Sequence, residues 1–166
     1  MIGEGGAAMN TPADGRHVFK YSLQIQEALE RAGWHLGRRC HKWAEKKKRH
    51  LEHEGFTVFP EVLKVLEEFG ELTIGEHGAG EDTEKSVVTM DPEPALTASE
   101  LFIEYRVLTK KNLCPVGIIG EEDYLGMDIS GQVYYVGDWV WYLGDNFAHA
   151  LETLLLGKKY PPQKAA

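Results

Sequence analysis

The segment 114–157 constrains the fold of this 166-residue chain more than any other part of it. It contains three short runs rich in β-branched and aromatic residues, at 115–119, 124–129 and 132–137. Runs of this kind are typical of strands when glycine and polar residues bound them, and the two-residue break Ser130-Gly131 is typical of a tight hairpin. The segment therefore predicts a small antiparallel sheet.

The hydrophobic period changes at the end of this segment. Four apolar residues recur there at the spacing of one helix face: Phe147, Leu151, Leu154 and Leu155. Asp145 or Asn146 is suited to cap the start of the helix, and Gly157 is suited to end it. We therefore expect a terminal helix that closes the sheet.

Further helices and strands are predicted upstream. Apolar residues at helical spacing predict helices within 19–32, 40–53, 60–69 and 97–109, and short β-rich runs predict strands at 72–74 and 86–90. Ser22 is expected to cap the first helix and Gly33 to end it. In the fourth, Thr97 and Glu100 match a capping box.

The length of the chain is typical of one domain. We expect a single domain at 16–157, a disordered leader at 1–15 that is rich in Gly and Ala, and a loose tail at 158–166. The N-terminus lacks the features of a signal peptide, and no apolar run reaches transmembrane length. With only two cysteines, the chain is predicted to be a soluble cytoplasmic protein without a membrane partner.

Charge is distributed unevenly along the chain, whose net charge is −8. Residues 16–50 carry ten Lys or Arg against three Asp or Glu, whereas residues 51–157 carry five against twenty-one. An acidic surface attracts basic partners and repels nucleic acid. We therefore expect a protein partner and no nucleic-acid partner.

Cys40, His41, His50 and His53 form a possible metal-ligand cluster. Cysteine and histidine are good zinc ligands, and His50 and His53 share one helix face. However, His50 lies nearly three helical turns from His41, so the four cannot converge from one straight helix. A solvated face of a basic helix is the favoured interpretation, and we predict no metal site and no cofactor.

We find no convincing catalytic set, and the chain is predicted not to be an enzyme. It contains neither a nucleophile elbow nor a phosphate-binding Walker loop. Cys114 precedes a proline at the start of an apolar run, where a buried small hydrophobe is the favoured interpretation.

The run Trp139-Val140-Trp141-Tyr142 contains four consecutive large apolar residues. They cannot all face one side of a strand or helix, so some are exposed or lie between two layers. Tryptophan and tyrosine are enriched at the energetic centres of interfaces. The sequence leaves two interpretations open. One tryptophan is an exposed aromatic anchor, or both tryptophans are buried in the core.

An ordered set of short motifs resembles the SUKH superfamily, specifically its third bacterial group. The resemblance covers residues 19–157 approximately and rests on these motifs: AGW at 32–34, GRR at 37–39, FP at 59–60, EFGEL at 68–72, DP at 91–92, LCPVG at 113–117, LGMDISGQVY at 125–134, and Gly144 followed by Ala150-Leu151 and the segment 154–157. Glu71 stands where that group usually has a second glycine.

The resemblance implies an α+β fold with a central, mostly antiparallel sheet flanked by helices. It also implies a bacterial immunity protein of a polymorphic or contact-dependent toxin system, which binds and neutralises a cognate toxin domain, often a nuclease, and has no shared catalytic residues. A general interaction or regulatory module of the same fold is the alternative, and a metal-binding protein using Cys40, His41 and His50 is a third hypothesis. A monomer or a weak homodimer is expected.

The acidic and aromatic residues give a predicted contact surface for the toxin. We expect it to include Trp139 or Trp141 as an anchor together with six acidic residues: Glu81, Asp82, Glu84, Glu121, Glu122 and Asp123.

Overall fold

A computed structural model describes residues 21–164, which form five α-helices and six β-strands. The helices are α1 (Leu23–Ala32), α2 (His41–His53), α3 (Pro60–Phe69), α4 (Ser99–Thr109) and α5 (Phe147–Leu155). The strands are β1 (Thr73–Ile74), β2 (Val88–Thr89), β3 (Cys114–Ile119), β4 (Asp123–Met127), β5 (Val133–Val136) and β6 (Val140–Gly144). The leader predicted at 1–15 lies outside the described residues.

The six strands form one antiparallel meander in the order β1-β2-β3-β4-β5-β6. This arrangement, with helices packed on the sheet, confirms the predicted α+β fold. The sixth strand was not predicted, because Trp139-Val140-Trp141-Tyr142 lacks an alternation of apolar and polar residues. Among the described residues, no helix has both the length and the apolar composition that a bilayer crossing needs.

Both faces of the sheet are covered. On one face Leu125 and Val133 join the larger core with α1, α3 and α5, where Phe69 and Phe147 pack with ring centroids 4.7 Å apart. On the other face Tyr134, Val136 and Tyr142 form a second core with α4. Successive residues of β5 therefore enter different cores, as the alternation of side chains along a strand requires.

The hairpin between β4 and β5 differs from the predicted Ser130-Gly131 turn. Ile129 and Ser130 form its tip, the Gly131 N–H donates to the Asp128 carbonyl (3.1 Å), and Gly131 has φ 88°. The Asp128 carboxylate accepts hydrogen bonds from the N–H groups of Ser130 (2.9 Å) and Gln132 (3.0 Å). The side chain of Asp128 thus shifts the turn, and glycine takes the left-handed position that closes it.

Two predicted helix N-caps are confirmed and one is wrong. Ser22 accepts a hydrogen bond from the Ile25 N–H (3.4 Å), and Asn146 accepts one from His149 (2.9 Å). The capping box of Thr97 does not form, because a 3₁₀ turn (Glu93–Ala98) precedes α4 and the Thr97 hydroxyl donates to a carbonyl inside that turn (3.1 Å). The 3₁₀ turn, which begins between Pro92 and Pro94, therefore uses the Thr97 hydroxyl that the predicted cap of α4 requires.

One buried lysine connects α2 to this 3₁₀ turn. Lys47 is only 8% exposed, and its Nζ lies 2.7 Å from Glu93 Oε1 and 3.6 Å from Asp91 Oδ1. His50 Nδ1 lies 3.0 Å from the same Glu93 oxygen. Burial opposes the charge of Lys47, but the hydrogen bonds with Glu93 and Asp91 and the negative charges of these two carboxylates together outweigh it, so the lysine pKa is raised. Hydrogen bonds from Lys47 and His50 lower the pKa of Glu93.

We predict that Glu93→Gln lowers the free energy of unfolding at pH 7 by about 1–2 kcal/mol, since it removes a charge-assisted bond from a buried lysine. Because the carboxyl pKa is lowered in the folded state, its contribution is present above the ordinary glutamate range and is lost as the pH falls through the lowered pKa. Denaturant titrations at several pH values measure the difference between wild type and variant, which should shrink in acid. Glu54→Gln, at an exposed position after α2, is the matched control. Equal losses for both variants would contradict the prediction.

Candidate functional site

An exposed loop at 79–84 carries three of the predicted contact acids. A β-bridge between Ala79 and Glu84 closes the loop. Three backbone hydrogen bonds attach it to the end of α5: Glu81 N–H to Leu156 O (2.9 Å), Asp82 N–H to Gly157 O (2.8 Å) and Thr83 N–H to Gly157 O (2.9 Å). The shape of the loop is therefore set by backbone contacts.

Gly157 is required for this attachment. It has φ 64°, and a Cβ at this position would lie 2.4 Å from the Thr83 carbonyl oxygen and 2.7 Å from the Gly80 Cα. Both the left-handed conformation and the close approach of two backbones favour glycine. The helix-ending glycine expected from the sequence is thus also the site at which the loop is attached.

The three acids of the loop have different environments. Glu81 and Glu84 are exposed. Asp82 is exposed as well, but its Oδ2 accepts a hydrogen bond from the Lys159 N–H at 2.7 Å. Glu81 and Glu84 are therefore available to a partner, whereas Asp82 also holds the C-terminal segment.

The turn at 120–122 joins β3 to β4 and carries the other acids. Gly120 has φ 65°, and its N–H donates to the Val87 carbonyl (2.9 Å). Glu121 and Glu122 are exposed, whereas Asp123 is half-buried and accepts a short hydrogen bond from the Tyr135 hydroxyl. Burial and the Asp123 carboxylate together raise the pKa of Tyr135. The phenol is therefore a fixed hydrogen-bond donor at neutral pH.

Tyr135 connects the acidic turn to an open aromatic groove. It lines a cleft of about 290 Å³ together with Glu121, Glu122, Asp123 and Lys85. Its ring centroid lies 6.2 Å from that of Tyr160, and Trp141 is its neighbour on β6. Trp141 in turn lines an open groove of about 1000 Å³ together with Asp82, Tyr160 and two lysines, Lys158 and Lys159.

The C-terminal segment forms one wall of this groove. The Gln163 side chain accepts a hydrogen bond from the Tyr142 N–H (2.7 Å) and donates one to the Tyr142 carbonyl (3.2 Å). Lys164 Nζ lies 2.9 Å from Asp145 Oδ1. The amide of Gln163 thus pairs with the free edge of β6, as a neighbouring strand would.

We use the name acidic–aromatic face for residues of the cleft and the groove together with the two exposed glutamates of the loop. It consists of Glu81, Asp82, Glu84, Glu121, Glu122, Asp123, Tyr135, Trp141 and Tyr160. Trp141 is 36% exposed here, whereas Trp139 lies apart on the α4 side of the sheet, 40% exposed, with its ring 5.3 Å from that of Tyr105. The structure therefore places Asp82 in one groove with Trp141. The contact between Tyr135 and Tyr160 joins this groove to the cleft lined by Glu121, Glu122 and Asp123. Glu81 and Glu84 flank Asp82 on the exposed loop.

Sequence reasoning missed the two tyrosines of this face. The strand alternation in β5 separates Tyr135 from Tyr134 and Val136. The position of Tyr135 beside Trp141 depends on the pairing of β5 with β6, a strand that the sequence did not predict. The position of Tyr160 depends on the path of the C-terminal segment, for which the sequence contains no periodic signal.

The structure separates the proposed metal ligands. The Cys40 thiol lies against the carbonyls of Leu66 (3.2 Å) and Glu67 (3.1 Å), and burial raises its pKa. His41 Nδ1 lies 2.7 Å from a Glu67 carboxylate oxygen, whereas His50 pairs with Glu93. Among the described residues, the group of three potential ligands within 4.8 Å of one another is His41, Glu45 and Glu67, and it includes neither Cys40 nor His50.

Comparison with known proteins identifies the family. A family model described as SUKH-3 immunity protein matches residues 21–157. The chain belongs to the SUKH-3 immunity protein family. No curated protein and no solved structure matches it. The match confirms the resemblance drawn from the sequence motifs, and it extends from the start of α1 to Gly157, at which the acidic loop is attached.

We predict that Gly157→Ala destabilises this SUKH-3 protein more than Gly55→Ala does. Both glycines are left-handed, but a Cβ on Gly55 meets nothing within 4 Å. The control should therefore show only the backbone cost, about 1–2 kcal/mol. Overpacking against Thr83 and Gly80 should add about 1–3 kcal/mol at position 157.

Denaturant unfolding measures both variants of this pair. Hydrogen exchange should also show faster exchange of the Asp82 and Thr83 amides in Gly157→Ala alone, since these amides donate to Gly157. Equal destabilisation of the two variants, with unchanged exchange in the loop, would mean that the close approach is unimportant.

Proposed function

We propose that this SUKH-3 chain is a cytoplasmic immunity protein that binds and neutralises a cognate toxin domain of a polymorphic toxin system by direct contact. The observation that carries the proposal is the family match over residues 21–157. We further propose that the acidic–aromatic face is the contact surface. A nuclease domain is the partner class that this surface fits best.

The charge of the face supports a basic partner. Glu81, Glu84, Glu121 and Glu122 are exposed on two neighbouring loops. A nuclease presents basic residues to the phosphate backbone of its substrate, and an acidic surface is complementary to such a site. Complementary charges accelerate association and favour the correct partner. Rapid capture suits a protein that protects the cell in which the toxin acts.

The aromatic part of the face supports tight binding. Trp141 is partly exposed between the acidic loop and Tyr160, in an open groove. Tryptophan and tyrosine anchors in such settings supply a large share of the binding energy at many interfaces. The backbone attachment of the loop to α5 reduces the entropy that would be lost if the loop became ordered on binding.

Co-expression with a candidate toxin domain tests the function directly. The candidate is the C-terminal domain of a large secreted protein encoded beside this chain. Survival of the cells and co-purification of a stable complex support immunity. Failure of rescue by folded protein, with a toxin domain shown to be active, would favour a different cognate toxin or an interaction module without a toxin partner.

We predict that Glu121→Lys with Glu122→Lys weakens toxin binding mainly through slower association. The association rate should fall about 10-fold or more at low salt, and its dependence on ionic strength should become smaller. Stopped-flow or surface-binding kinetics at several salt concentrations measure both effects. Glu52→Lys with Glu54→Lys, at two exposed positions at the end of α2 and just after it, makes the same charge change away from the proposed face. If both double variants slowed association equally, the effect would come from the net charge of the protein and not from the position of the acids.

We predict that Trp141→Ala raises the dissociation constant of the complex about 30-fold or more, as expected for an anchor worth about 2 kcal/mol. Trp139→Ala is the matched control, because Trp139 is similarly exposed but lies on the other side of the sheet. Isothermal titration calorimetry measures both, after thermal unfolding has shown that each variant is folded. A larger loss for Trp139→Ala would move the proposed contact to the α4 side.

A further inference from the structure

Helix α4 has apolar residues on its outward face as well as on its inward face. Phe102 and Tyr105 are buried against the sheet. On the opposite side, Ile103 and Val107 lie one turn apart and are 60% and 64% exposed. A surface helix normally carries polar residues on the side away from the core. This outward pair of large apolar residues is therefore a candidate contact surface.

Charges are ordered along the same face. Glu100 lies one turn before Ile103, whereas the capping residue Lys110 lies one turn after Val107, and both are exposed. Within the described part of the chain, no ion pair involves either of these two side chains. The face thus has an acidic end, an apolar centre and a basic end.

This order is complementary to itself when two copies of the helix run antiparallel. With the two-fold axis at the position of Tyr105, Ile103 lies opposite Val107 of the second copy. In the same register Glu100 lies across the helix pair from Lys110 of the second copy. An isologous contact of this kind uses the same patch on both subunits, and every pairing occurs twice. In antiparallel packing the two helix dipoles also point in opposite directions, which is electrostatically favourable.

We propose that the outward face of α4 is a self-association surface and that its partner is a second copy of this chain. One helix pair buries less area than a standard interface, so the dimer should be weak, with a dissociation constant of about 10 µM or higher. Because Tyr135 packs with the core on the opposite side of the sheet, the dimer leaves the acidic–aromatic face accessible.

Analytical ultracentrifugation of the full chain over about 5–500 µM tests the association. The wild type should show a monomer–dimer equilibrium, and Val107→Asp should weaken it about 10-fold or more by placing a charge in the apolar centre. Leu23→Asp is the matched control, because Leu23 is also 64% exposed but lies on α1. A wild type that remains monomeric throughout, or a dimer that Val107→Asp leaves intact, overturns the proposal.

Charge exchange tests the orientation. Glu100→Lys alone and Lys110→Glu alone should each weaken the dimer about 2–5-fold, as exposed ion pairs do. The double variant restores opposite charges across the axis and should recover wild-type association. Recovery would not occur if the helices packed parallel or if another surface formed the dimer.

Cysteine cross-linking tests the register without relying on destabilising variants. A mixture of Ile103→Cys and Val107→Cys chains should form disulfide-linked heterodimers faster than either chain forms homodimers, because positions 103 and 107 oppose each other. The wild type, treated in parallel, controls for the half-buried Cys40. Equal rates in all three combinations would contradict the antiparallel register.

Discussion

The structure depends on a sheet that must be packed on both faces. Neighbouring residues of β4, β5 and β6 enter two different cores, so Val133 packs with α5 and its neighbour Tyr134 packs with α4. A shift of one residue in strand register would exchange the two sets of side chains. Few positions inside the sheet are therefore free to change, and surface chemistry lies on the loops, on the outward helix faces and on the edge strand β6, where Trp141 is partly exposed.

Local signals were sufficient to predict much of this fold. Residues close in sequence supply helix periodicity and caps such as Ser22 and Asn146, and the structure confirms them. In contrast, β6 was missed because its tryptophans alternate with equally apolar neighbours. The 3₁₀ turn before α4 was missed because the Thr97 hydroxyl bonds to the Pro94 carbonyl and does not form the predicted capping box. In both cases the local pattern supports two structures, and tertiary packing selects one.

The side-chain clusters show a similar limit. Cys40 and His50 lie on or next to one basic helix, yet Cys40 faces carbonyls at the end of α3 and His50 faces Glu93. Each pairing spans at least 26 residues of sequence, so helical spacing does not reveal it. The predicted acids were found together because they lie on loops at one end of the sheet. The tyrosine that connects them required knowledge of strand pairing.

The attachment of the loop at 79–84 has an evolutionary consequence. Its position is specified by main-chain groups and two glycines, so the side chains of Glu81 and Glu84 do not determine its shape. Substitutions at these positions would alter the chemistry offered to a partner while the scaffold stays constant. Under the proposed function, new recognition would then need changes at only a few exposed codons, without a compensating change in the core.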